Sequence, residues 1–311
     1  MAMGLAGSTS IEVAGHTSDL GRWRTAQRPA EPRLRDHVLG YFASEGFLPK
    51  PLHERHLPYR EVAIVLNFAD PHRIIDPSAG TRTIEQRNAW ITALQHRYQI
   101  REAFGARDFM VIRFTPLGAH MLLGVPMNLL TDRTVALEDV DSRFSRLLRG
   151  RAEVTQDWAA RFDTVENIIA QRLASAPLPP AGLLHAWRML QASPNHVDLA
   201  RLPAEFGCSR RHLIAQFQKY FGMAPKMIAR INRFHLAVAA VHRLGRRGSL
   251  PYVEGKPYLD YLAEDSATQT TMRWADLALG CGYYDQSHFI NEFKSFSGLS
   301  PLEFLKRTRD E

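Results

Sequence analysis

The chain has 311 residues, 45% hydrophobic and 23% charged, enough to bury a core and a length expected of one or two domains. Lys and Arg number 39 against 32 Asp and Glu, a formal charge of +7, and so small a surplus points to a polyanionic partner only where it is concentrated. Two cysteines, Cys208 and Cys281, exclude a disulfide framework and fit a reducing compartment. No apolar run reaches the roughly 18 residues of a membrane span, and no basic stretch followed by an apolar one opens the chain, so the expectation is a cytoplasmic protein without membrane contact.

Residues 1–24 are small, polar and aperiodic and read as a flexible leader. Glu61–Phe68 (EVAIVLNF) and Phe109–Phe114 (FMVIRF) are branched and aromatic-rich, and turn signals at Asp70-Pro71, Asp76-Pro77 and Pro116-Leu117-Gly118 bound them, as expected of strands. Helical periodicity begins near Leu137 and is clearest from Trp158 to Leu173, with Trp158, Phe162, Val165, Ile169 and Leu173 along one face. Residues 174–182 (ASAPLPPAG) carry three prolines and a glycine and read as a linker. The remainder reads as helices, apart from a Gly/Pro-interrupted stretch over about 244–271.

The C-terminal third repeats itself at an offset of 76 residues. His212-Leu213 answers to His288-Phe289, Phe217 to Phe293, Gly222 to Gly298 and Pro225 to Pro301. Leu213, Phe217, Phe289 and Phe293 have the four-residue spacing of buried helical faces. Each glycine falls where a helix C-cap takes the left-handed conformation, and each proline suits the first turn of a following helix. Gly207 and Gly282 close shorter helical stretches upstream. Helix, glycine turn and second helix make a helix-turn-helix pattern written twice. From Ser209 to Val253 there is no Asp or Glu, against nine Lys and Arg, the electrostatic footprint of a phosphate-binding surface. A solvated basic face on a structurally duplicated bundle is the plain alternative.

These two stretches resemble the AraC/XylS-type DNA-binding domain. LARLPAEFGCSRRHLIAQFQKYFGMAPKMIARINRFHLA is similar to its first half, and WADLALGCGYYDQSHFINEFKSFSGLSPLEFLKR to its second. The resemblance covers about 183–309 and implies two units on a long linker helix, each placing its second helix in one of two adjacent major grooves. It assigns the first recognition helix to Ser209, Arg210, Arg211, His212, Ile214 and Ala215; Lys219 and Arg230, from the basic span, are the expected sequence-independent contacts. In the second unit Asp285 is the expected N-cap, and Gln286, Ser287 and Asn291 face the groove, while His212 and His288 fit packing or phosphate contact as readily as base reading. Arginine pairs with guanine or phosphate, and Gln or Asn with adenine edges. Two departures stand out: Pro203 lies inside the first helix where the second unit has Ala278, and the connection over 244–271 is long. Residues 25–173, with FTPLGAHMLLGVPMNLLTDRTV at 114–135, resemble the effector-sensing or dimerisation domain of actinobacterial-type AraC-like regulators.

The expectation is therefore an α+β chain: a mixed sensory domain over 25–173, a linker over 174–182, and an all-α domain of two helix-turn-helix units over 183–309 with an insert near 244–271. It is expected to be a bacterial transcription regulator, activator or repressor, with no enzymatic activity, no cofactor and no metal. Double-stranded promoter DNA is the expected partner, with a small-molecule effector, RNA polymerase and a second copy of the chain as further ones. The competing classes are an N-terminal metal-dependent enzyme and a ligand-free architectural DNA binder. His53 and His56 (HxxH), with His72, His96 and His120, motivate the first, although KPLHERHLP reads as a surface loop. HExxH, GxSxG, GxGxxG and P-loop patterns are absent, as is any cysteine before Cys208 for an alkyl-acceptor repair activator. Cys208 and Cys281 beside the turns read as small core residues before they read as thiol sensors, and Trp90, Tyr98 and Phe114 as core before an effector pocket.

Overall fold

A computed structural model of the chain describes residues 10–76, 82–155, 157–192, 207–245 and 274–310. Strands β1 (Glu12–Ser18), β2 (Gly21–Pro29), β3 (Val38–His56), β4 (Val62–Asn67), β5 (His72–Asp76), β6 (Arg82–Gln86), β7 (Ala89–Thr92), β8 (Gln99–Phe114) and β9 (Thr134–Ala136) build one antiparallel sheet. Its order is β1-β2-β3-β8-β4-β7-β9, and β5-β6 branch from the other half of β8.

Pairing register decides which side chains meet. Tyr41 and Ala43 of β3 stand opposite Ile112 and Met110 of β8, and Ile64 and Leu66 of β4 share that face. This face packs under the helices as the main core. One residue along each strand, Phe42, Val65 and Val111 point to the opposite face and join Ile74, Trp90 and Phe109 in a second, smaller core. Alternation of period two thus gives both faces of one sheet an apolar centre.

Around it run helices α1 (Pro116–Leu123), α2 (Leu137–Glu153) and α3 (Trp158–Ala174). Thr115 caps α1 by accepting from Gly118 N, and Gly124 ends it at φ 71°. Asp141 leaves helical geometry inside α2 and re-caps the helix by accepting from Phe144 N at 2.8 Å. The apolar stripe expected of α3 is buried throughout: Trp158, Phe162, Val165, Ile169 and Leu173. Residues 175–180 are irregular, as the prolines require, before α4 (Ala181–Ala192). Then come α5 (Arg210–Phe221), α6 (Pro225–Gly245), α7 (Trp274–Gly280), α8 (Gln286–Ser297) and α9 (Pro301–Asp310). Among the described residues no helix is long and apolar enough to cross a membrane.

Three readings need correction. The leader is structured from Glu12 onward: β1 and most of β2 form an edge hairpin. Every residue of β1 is at least partly exposed, so no apolar alternation marks it. The HxxH stretch is strand, not loop. Pro49 and Pro51 lack the N–H a ladder needs, and there the pairing of β3 with β8 shifts register between Leu48 and Leu52 before resuming through His56. His53 and His56, three apart on one strand, therefore point to opposite faces. Strand β8 also starts ten residues before the expected Phe109. Pro203 and most of the 244–271 connection lie outside the described residues.

Phe234 of α6 is fully buried, its ring 5.2 Å from Phe293 and 5.0 Å from Phe296 of α8. Phe234→Ala is expected to cost about 3–5 kcal/mol in denaturant unfolding; a cost below about 1 kcal/mol would show that α6 is not the shared core of the C-terminal helices.

Candidate nucleic-acid interface

Helices α5 and α8 begin alike. Ser209 accepts from His212 N at 3.1 Å, and Asp285 accepts from His288 N at 2.7 Å, each a side-chain N-cap satisfying the third amide of its helix. The turn glycines ahead of them adopt positive φ, 59° at Gly207 and 82° at Gly282. Both starts are bare: Ser209, Arg210, Arg211 and His212 are exposed, and so are Asp285, Gln286, Ser287 and His288. The opposite faces carry the core, with Leu213, Phe217, Phe289 and Phe293 buried. Arg210 and Arg211 occupy the first turn of α5 with no acidic residue beside them. Two guanidiniums at the positive end of a helix are unfavourable until an anion arrives.

One carboxylate relates the two units. Glu292 of α8 is buried, and its oxygens accept from Arg230 Nε at 2.7 Å and Arg233 Nη2 at 3.0 Å, both on α6. The Arg230 guanidinium also lies over the Phe296 ring and that of Arg233 over Tyr283. Burial and the nearby Glu292 charge push the Tyr283 hydroxyl far up, so it stays neutral. His288 approaches the same carboxylate at 3.8 Å.

The far ends of both helices are held by the sheet domain. Gly222 ends α5 at φ 87°, and its carbonyl accepts from Thr131 Oγ1 at 2.9 Å. Gly298 ends α8 at φ 73°; just before it, Phe296 O accepts from Tyr98 N at 3.0 Å and Ser297 O from Arg55 Nη1 at 2.8 Å. A Cβ on Gly222 would come within 2.6 Å of Thr131 Oγ1, and one on Gly298 would strike the Tyr98 ring. Glycine is thus required twice at each end, for the left-handed backbone and for the close approach. Between these points Pro58 O accepts from His235 Nε2 at 2.7 Å, and Arg60 donates to Asn232 Oδ1 at 3.1 Å. Burial, with help from Arg60, pushes the His235 imidazole down to about 3, which keeps it a neutral donor.

Residues 265–306 match the family model described as bacterial regulatory helix-turn-helix proteins, AraC family. The chain carries an AraC-family helix-turn-helix domain. Residues 26–136 match a domain of unknown function, DUF6597. No curated protein matches the sequence. Solved structures of similar outline include ToxT from Vibrio cholerae O395, 12% identical over 83% of this chain and 97% of that one with a TM-score of 0.41. The AraC-like transcriptional activator CuxR is 16% identical over 81% and 90% at 0.29. A DNA-binding transcriptional dual regulator from Escherichia coli K-12 is 18% identical over 44% and 100%, also at 0.29.

Over helices α5 to α8 the expected contact residues separate into groups. Arg210 and Arg211 share the exposed face of α5 with half-buried Ile214 and exposed Ala215; Gln286, Ser287 and Asn291 hold the equivalent exposed positions on α8. Lys219 is exposed but lies nine residues on, about 13 Å along the helix, beside the Tyr220 ring and His120 of the sheet domain. Arg230 changes role: two-thirds buried and bound to Glu292, it is a strut between units rather than a residue held out for phosphate. Sequence reading missed the roles of Glu292, Arg233, Arg55 and Thr131, and Tyr98, expected in the core, is only partly buried and docks against α8 instead. They act across the fold, and only the repeated Gly222 and Gly298 hinted at a common docking point.

Elsewhere, His53 pairs with Glu102 at 2.9 Å on the outer face, and among the described residues no three His, Cys, Asp or Glu side chains are grouped to hold a metal ion. Phe114 is main core and Trp90 belongs to the smaller core. Cys281 is buried and Cys208 partly so.

Glu292→Gln removes one partner from a largely buried pair of arginines and is expected to cost about 1–3 kcal/mol of stability; unchanged unfolding would remove the strut. Burial pushes the Cys281 thiol up to about 11, so iodoacetamide at pH 8 should modify native Cys208 well before Cys281. Equal labelling rates by mass spectrometry would contradict that.

Proposed function

We propose that this protein is an effector-responsive, sequence-specific transcription regulator. On this reading residues 183–309 grip promoter DNA and residues 25–173 sense a small molecule in the bacterial cytoplasm. The observation that carries it is the pair of capped, exposed helix starts, Ser209–His212 and Asp285–His288, tied together through Glu292. The acid-free basic span from Ser209 to Val253 and the AraC-family match over 265–306 support the same reading.

Roles follow from position. Arg210 and Arg211 read guanine edges or clamp phosphate, while Gln286, Ser287 and Asn291 read the second groove. His212 and His288 flank these contacts, and Lys219 adds a sequence-independent attraction. Control passes through the glycine-capped far ends of α5 and α8. A ligand that moves Tyr98, Arg55 or Thr131 moves both recognition helices, because all three bond to those ends. No catalytic step is assigned.

Gel-shift titrations on duplexes enriched from random DNA by the full-length chain, repeated across salt, test the assignment. Arg210→Ala or Arg211→Ala is expected to cost about 1–3 kcal/mol on the selected site and to relax specificity there. Lys219→Ala should weaken all sequences alike and lower the salt slope by about 1. Unchanged affinity in both arginine variants would remove α5 from the interface.

A further inference from the structure

Two loops of the sheet domain hold the C-terminal ends of α5 and α8. Residues 93–98 join β7 to β8, and residues 124–133 join α1 to β9. Tyr98, last in the first loop, donates its amide to Phe296 O at 3.0 Å. Thr131, near the end of the second, donates Oγ1 to Gly222 O at 2.9 Å. Each loop is also pinned inward, since Leu94 and Gln95 are buried, and so are Met127 and Leu130.

Between these anchors the two loops are tied to each other through a single residue. Asp132 donates its own amide to Leu94 O at 3.0 Å. One oxygen of its carboxylate accepts from the His96 amide at 2.7 Å, and the other pairs with His96 Nδ1. His96 stands two residues before Tyr98 and Asp132 one after Thr131, so both docks hang on the same three bonds. The Asp132 side chain is 48% exposed, and there an ion pair alone contributes little; the two backbone amides make the joint. Burial pushes the Asp132 carboxyl up, but the bonds from the imidazole and amide of His96, with the charges of His96 and Arg97, outweigh this and hold it below the usual carboxylate range. It is therefore ionised near neutral pH and free to accept from both groups.

The backbone points the same way. Among the described residues Asp132 is the one non-glycine in the left-handed region, at φ 59°. That conformation is unfavourable for a residue with a Cβ, and aspartate tolerates it through local hydrogen bonds of its side chain. Glycine would sit there unstrained but would bring no carboxylate, so the acid accounts for the residue and the strain is the cost of placing it.

We infer that Asp132 and His96 are positioning residues that lock the docks of α5 and α8 to one another, so that the two helix ends are held or released together. The inference deepens the effector-responsive reading and rests on it only for the consequence at DNA: a shift of either loop reaches both helices.

The test is hydrogen exchange by mass spectrometry on the full chain without DNA. Asp132→Gly, which removes the carboxylate and relieves the backbone, is expected to speed exchange about tenfold at the ends of both helices, residues 218–224 and 294–300, while residues 158–173 of α3 exchange as in the parent. Asp132→Asn keeps an acceptor for the His96 amide and should stay within about threefold of the parent at both ends. Should Asp132→Gly fail to fold, His96→Ala, which leaves the backbone bonds in place, decides by a smaller rise at both ends together. The proposal is overturned if exchange rises at one end only or at neither, if α3 opens as much as the helix ends, or if Asp132→Asn is no better than Asp132→Gly. On enriched duplexes, Asp132→Gly should lose most of the affinity that two adjacent half-sites give over one, with binding to a single half-site unchanged; an unchanged ratio would overturn the consequence at DNA. A chain that binds no duplex contradicts the proposed function instead, and the exchange result still decides the joint.

Discussion

Glu292, buried between Arg230 and Arg233, is the interaction on which the placement of α8 against α6 depends. It lies on α8, and its partners lie on α6, the long helix that follows α5. A carboxylate out of water needs its charge matched and its lone pairs filled, so Glu292 accepts only an arrangement that presents both guanidiniums. The aromatic rings of Phe234, Phe293 and Phe296 pack beside this pair and keep it dry. Helices α5 and α8 thereby become parts of one body instead of beads on a linker.

That body is charged against itself at one place. Arg210 and Arg211 stand at the positive end of α5, where an acid would ordinarily sit. The arrangement is costly in the free protein and favourable against a phosphate backbone. At the opposite ends of α5 and α8 the backbone carbonyls meet the sheet domain through Thr131, Tyr98 and Arg55. Each of these two helices therefore has one end exposed to solvent and one end in the grip of the other domain, the division that the proposed function uses to link sensing to reading.

What could be read from the sequence was local. Gly222 and Gly298, Pro225 and Pro301, and the caps Ser209 and Asp285 act within a few residues of themselves, so spacing alone located four helices and two turns. The α3 stripe was legible for the same reason. Long-range roles were not: nothing around Glu292 in FINEF says that α6 will supply its arginines. The polar half of β8, QIREAFGARD, gave no strand signal, because buried Arg101 and Arg107 carry the same letters as exposed ones. The β1–β2 hairpin was invisible because neither face of β1 is buried, and HxxH suggested a metal site until β3 placed His53 and His56 on opposite sides of the sheet.

The central claim is that two helix starts, at Arg210 and at Gln286, enter one duplex side by side. Hydroxyl-radical footprinting of the full chain on a duplex enriched from random DNA tests it most directly. Two protected windows about 10 base pairs apart on one face of the DNA are predicted. A single window, or no sequence enriched at all, would contradict the account.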